Sequence, residues 1–82
     1  DIANPRGDEA LKLIVLTEEV GEVADAVQTV MKAEQKLAML NHERHRLAVI
    51  RAVDALCIEL IQVAAVCLAW LEAITPVKGG AR

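Results

Sequence analysis

An all-α fold is predicted by three features of the sequence. The composition is 55% hydrophobic but only 1% aromatic, so the apolar content is Ala, Val, Leu and Ile rather than the aromatics that enrich sheets. Two prolines, and glycines mostly near the ends, leave long uninterrupted stretches. Apolar residues recur at helical spacing on both sides of one polar break. The expected architecture is a long antiparallel helical hairpin that completes a four-helix bundle by homo-oligomerisation. All 82 residues form one small domain, near the lower limit for a self-sufficient core.

Residues 1–7, DIANPRG, read as a lead-in. Asn4 before Pro5 is a candidate N-cap with proline at N1, and Asp8 is a second candidate start. Helix one is expected over 8–40. Leu13, Leu16, Val20, Val23, Ala24, Val27, Val30 and Met31 fall within about 120° of arc, a core-facing stripe. Glu18, Glu22, Asp25, Thr29 and Lys32 take the other side. Gly21 costs about 1 kcal/mol relative to Ala in a helix interior, which either a close helix approach or ordinary tolerance explains.

Residues 41–46, NHERHR, are the most polar cluster and the expected connector, with Asn41 as a possible N-cap. His42 and His45 read as solvated rather than ligating. Helix two is expected over 47–75, its pattern traceable from about Glu43. Thr75-Pro76 stops it, because the residue before proline disfavours helix. Residues 76–82 are a tail.

Between Ala55 and Leu71 the chain reads ALCIELIQVAAVCLAWL, broken only by Glu59 and Gln62. At ~100° per residue no side is left for water. A lone hairpin cannot bury such a helix, so a homodimer is the minimum and a tetramer is consistent. The uncharged length of this segment is short of the ~20 residues that span a bilayer, and Glu59 lies within the segment, so no membrane role is expected. Cys57 and Cys67 lie roughly 15 Å apart along the helix and cannot pair with each other. They read as core thiols of a cytoplasmic protein. A net charge of −3 is a poor footprint for nucleic acid.

Ionised carboxylates rarely enter apolar interiors without compensation. Glu19/Glu22 and Glu59/Gln62 are both i, i+3 pairs, each placing two oxygen donors within about 60° on one helix. Facing each other across two antiparallel helices, they would supply up to four oxygens to a hard cation such as Mg²⁺. The residues leave an alternative open: Glu59 in an ion pair with Arg46, Arg51 or another chain's arginine. Histidine is missing from both pairs, which argues against a di-iron bundle.

The segments KLIVLTEEVGEVADAV and IELIQVAAVCLAWLEAI resemble the MazG-like all-α nucleoside triphosphate pyrophosphohydrolases, whose signature is E-E-x-x-E on one helix and E-x-x-D on the next. The resemblance covers about half the chain. It implies hydrolysis of a nucleoside triphosphate to monophosphate and pyrophosphate, of house-cleaning type, with Mg²⁺ (or Mn²⁺) as cofactor. By position it implies Glu19, Glu22 and Glu59 as metal ligands, and Glu18 as a residue that holds a basic group or orients water. Gln62 stands where the family has Asp, and a carboxamide ligates without adding charge. The connection between the motifs is also longer than usual, and the helix that commonly precedes the first motif is not recognisable within these 82 residues. Lys32 and Arg51 are candidates for substrate phosphates, and Trp70 for the base. A non-catalytic nucleotide binder and a purely structural hairpin are the competing expectations.

Overall fold

The computed structural model describes residues 5–75, with side chains from Glu9 onward. Two helices make up the fold: α1, Pro5–Leu40, and α2, Glu43–Ile74, packed against each other as a hairpin. Helix α1 begins three residues earlier than the expected start at Asp8 and has Pro5 as its first residue, a position where a missing N–H costs nothing. The proposed Asn4 cap and the tail 76–82 lie outside the described residues.

The link is shorter than the expected connector 41–46. Only Asn41 and His42 lie between the helices, and α2 runs from Glu43, where its pattern is first traceable, so the polar residues 43–46 form its first turn and are not connector. Asn41 does not cap α2. Its φ of 49° is left-handed and its N–H donates to the Leu37 carbonyl oxygen at 2.7 Å, so it terminates α1. His42 is the N-cap residue of α2 without a side-chain cap bond; its carbonyl oxygen accepts from the N–H groups of His45 (2.9 Å) and Arg46 (3.2 Å). At the far end Thr75 turns extended ahead of Pro76, and its N–H still donates to the Leu71 carbonyl oxygen at 2.9 Å.

Packing follows a repeat of 3.5 residues. On α1 the half-buried positions are 9, 12, 16, 19, 23, 26, 30, 33 and 37; on α2 they include 45, 49, 52, 56, 59, 63, 66 and 70. Alternating steps of three and four mark a coiled-coil seam, in which each helix is slightly underwound to keep one row against its partner. Ala52 is the one buried residue among those described, at 7% exposure. Small residues in the seam (Ala26, Ala33, Ala52) let the backbones come close.

The expected core stripe of α1 therefore divides. Leu16, Val23 and Val30 turn toward α2, whereas Leu13, Val20, Val27 and Met31 remain exposed. The exposed set extends through α2, where Ile50, Ile58, Ile61, Leu68 and Leu71 are all open to solvent. Gly21 has no close neighbour: a Cβ built there would meet nothing within 4 Å. Close helix approach within this chain does not account for it.

His45 also departs from expectation. It occupies a seam position, half-buried, with Nε2 enclosed and unpartnered. Its ring meets that of His42 edge-on at 6.3 Å. Burial first, and then the charges of Arg44, His42 and Lys36, push its pKa below 6.5.

Candidate functional site

Two positions in the hairpin seam are acidic, and they fall almost opposite each other. Glu19 of α1 and Glu59 of α2 are half-buried in adjoining layers, where a helix pair normally places apolar side chains. Glu22, one turn beyond Glu19, lies at the exposed edge of the same contact. The three side chains converge so that one carboxylate oxygen from each lies within 4.8 Å of the other two. Three of the residues singled out in the sequence are thus brought together by antiparallel pairing.

The cluster has an electrostatic deficit. Oxygen Oε1 of Glu19 and Oε1 of Glu59 are both shut off from solvent and accept no hydrogen bond, a costly state for a carboxylate oxygen. Desolvation, followed by the adjoining carboxylates of Glu22 and Glu19, raises the pKa of Glu59 above its usual 4.5. Like charges at this spacing drive the group to hold a proton or to recruit a cation. No arginine relieves it among the described residues. Arg46, one alternative partner for Glu59, instead donates from Nε to Glu43 Oε1 at 3.3 Å, and Arg51 makes no ion pair.

The remaining candidates are more dispersed. Gln62 is exposed, rotated about 60° from Glu59 toward the open edge where Glu22 lies. Glu18 is exposed and does not belong to the three-carboxylate group. Arg51 is exposed about 12 Å along α2 from Glu59, toward the link. Lys32 is exposed on the side of α1 turned from α2, roughly 15 Å along the axis from Glu22.

Trp70 lies roughly 16 Å from Glu59 along α2 in the opposite direction. With Leu11, Lys12, Val15, Val66 and Ala69 it lines an open groove of about 360 Å³, and its Nε1 is enclosed without a partner. Lys12 was not evident as a site residue in the sequence. The available signal was its position in the same three-four spacing as Leu16 and Glu19, which carries a cation into the seam opposite Trp70.

Helix α2 is also long and apolar enough to cross a membrane: an 18-residue window has a mean hydropathy of 2.0, with 6% of it buried in the hairpin. Its partner is not of that kind. Helix α1 lies along it carrying Lys12, Glu18, Glu19, Glu22, Asp25, Lys32, Glu34 and Lys36, a charge density that hydrocarbon does not accommodate.

Comparison of the chain with protein-family models, curated proteins and solved structures gives no match.

Proposed function

We propose that this chain is the helical hairpin of a homo-oligomeric, Mg²⁺-dependent nucleotide pyrophosphohydrolase of the MazG-like class. The observation that carries the reading is the convergence of Glu19, Glu22 and Glu59 from two helices, with two enclosed oxygens lacking any donor. All-oxygen, multiply anionic donor sets suit Mg²⁺ or Mn²⁺, and either ion would answer the deficit left in the seam. The resemblance of LTEEVGEV and of the Glu59 helix to that family supplies the reaction.

In this reading Glu19, Glu22 and Glu59 hold the ion, with Gln62 as a neutral fourth oxygen. When bound, the ion supplies charge neutralisation for a triphosphate and lowers the pKa of water. The chain's own part is positional. Glu19 and Glu59 are fixed by seam packing, and Glu22 at the open edge faces the side from which substrate arrives. Glu18, exposed next to the group, accepts a hydrogen bond from water or holds a basic group. Arg51, exposed on the link side, is the candidate for outer phosphates. Lys32, at the same place in the repeat of α1 as Arg51 in that of α2, is the second candidate for outer phosphates. Trp70 lies farther from the acids than a base lies from its own α-phosphate, so within one hairpin it does not form the base wall.

The exposed apolar surface supports the homo-oligomer: Leu13, Val20 and Met31 on α1 and Ile61 and Leu68 on α2 are all about half exposed or more. Monomeric soluble proteins rarely leave a continuous surface of this kind open. The proposed molecule acts on a free nucleotide, with no role for nucleic acid or membrane.

The test is pyrophosphate release from a panel of nucleoside triphosphates with Mg²⁺. Release that Glu22→Gln and Glu59→Gln abolish supports the reading; no release from any nucleotide at high protein concentration sinks it. A second reading, nucleotide binding without turnover, is favoured by one observation: Gln62 adds no charge at the open edge of the group. In that case calorimetry detects nucleotide binding without product, and Gln62→Asp tightens Mg²⁺ binding about tenfold or more.

A further inference from the structure

The groove toward the open end of the hairpin differs in chemistry from the rest of the apolar surface. Leu11 and Val15 of α1 and Val66 and Ala69 of α2 form its walls, and its volume of about 360 Å³ is in the range of small-molecule sites. Two of its lining side chains are polar, Lys12 and Trp70. Both are donors, and the wall's side chains include no acceptor.

Lys12 is half-buried in the seam, the one lysine or arginine among the described residues to hold such a position. It makes no ion pair among them, even with Glu9 one turn before it in the same row. Trp70 Nε1 is shut off from solvent and donates to nothing. A lysine at the edge of a seam can extend its stem over apolar neighbours and keep its charge in water. That does not account for an indole donor left unpaired in the same wall, a state that costs free energy. Apolarity alone does not single out this place. The hollow on the other flank of Trp70, lined by Cys67, Leu71 and Ile74, has no charged group. The unpaired cation and the unpaired N–H belong to the groove.

We propose that this groove binds a small amphipathic monocarboxylate, its apolar body between Val15 and Val66 and its head at Lys12 and the Trp70 N–H. The walls supply donors only, so the occupant has to bring the acceptor. One negative charge matches one lysine, and the remaining surface offers a polar body no partner. Lys12 lies about 10 Å along α1 from Glu19, so the site is separate from the three acids. It depends neither on a metal ion nor on the number of copies in the assembly.

Trp70 is the one tryptophan of a chain without tyrosine or phenylalanine, so intrinsic fluorescence reports this groove alone. The full chain is titrated with octanoate, octylammonium and octanol. Octanoate should bind saturably, at least about tenfold tighter than octylammonium, and shift the indole N–H proton resonance downfield. Lys12→Met should remove that preference and keep octanol binding. Equal binding of the three, or a preference that survives in Lys12→Met, leaves only an apolar surface and overturns the proposal. Lack of any saturable response to octanoate also overturns it, and is the result expected if another copy covers the groove. A response to nucleoside triphosphate but not to octanoate gives Trp70 to a nucleobase. A response only to phosphatidylglycerol vesicles gives it to a lipid surface, and either result refutes the site. If Lys12→Met does not fold, the octanoate-to-octylammonium ratio and the indole shift of the wild type decide.

Discussion

Replacing Glu59 by glutamine separates the two roles assigned to the acidic cluster. The substitution keeps shape and removes one charge from three groups whose oxygens lie within 4.8 Å of each other. Without metal, the charge removed is one that burial and the carboxylates of Glu22 and Glu19 disfavour, so the variant should be at least as stable as wild type at pH 8. With Mg²⁺ the order reverses. A ligand at 100 times its Kd stabilises the folded state by about 2.7 kcal/mol, which raises the Tm of a chain this size by roughly 10–20 °C. Loss of even an outer partner of a metal ligand weakens binding by about 10–100-fold, and loss of a ligand should cost at least that. At the same Mg²⁺ concentration, a 100-fold weaker variant retains about 0.4 kcal/mol, or roughly 2–3 °C. Thermal unfolding followed by circular dichroism, with and without Mg²⁺ at pH 8, measures all four states. A variant less stable than wild type without metal, or one that keeps the full Mg²⁺ shift, would refute the account of the cluster.

The pH profile should show the same linkage with a definite sign. Glu59 binds its proton more tightly folded than unfolded, and the groups facing it are Glu19 and Glu22 of α1. Its contribution to metal-free stability is therefore complete below about the usual 4.5 and declines as pH rises through its raised folded value. Denaturant titrations from pH 4 to 8 should show that decline in wild type and a flatter profile in Glu59→Gln; a wild-type rise over that range attributable to Glu59 would contradict it. Gly21→Ala should stabilise the protein by about 0.5–1 kcal/mol, since the added methyl meets nothing within 4 Å and the unfolded chain loses freedom. Destabilisation, or loss of the oligomer on sedimentation, would instead indicate that another copy packs against Gly21.

Local features were the readable ones. Glu19 and Glu22 share a side of their helix because three residues span most of one turn, and this holds wherever the helix is placed. Likewise Thr75 had to leave the helix ahead of Pro76, for steric reasons confined to two residues. The polar run 41–46 marked the reversal but not its length. Glu43, Arg44 and Arg46 are all compatible with a first helical turn, and Asn41 is as suited to a left-handed stop as to an N-cap.

Orientation could not be read in the same way. Because α2 is apolar on nearly every side, its composition does not distinguish the row that meets α1 from the row left open. On α1 an apolar stripe about 120° wide is broader than one seam, so Val20, Val27 and Met31 were indistinguishable from Leu16, Val23 and Val30. The sequence by itself determined two long helices, a break between them and an i, i+3 pair of oxygen-bearing side chains on each. Only the antiparallel packing decided that Glu19 and Glu59 share the seam with Glu22 at its edge, and that Trp70 faces Lys12 instead. The physical reason is that helix formation depends on neighbours along the chain, whereas burial and charge repulsion depend on what the other helix brings to the same layer.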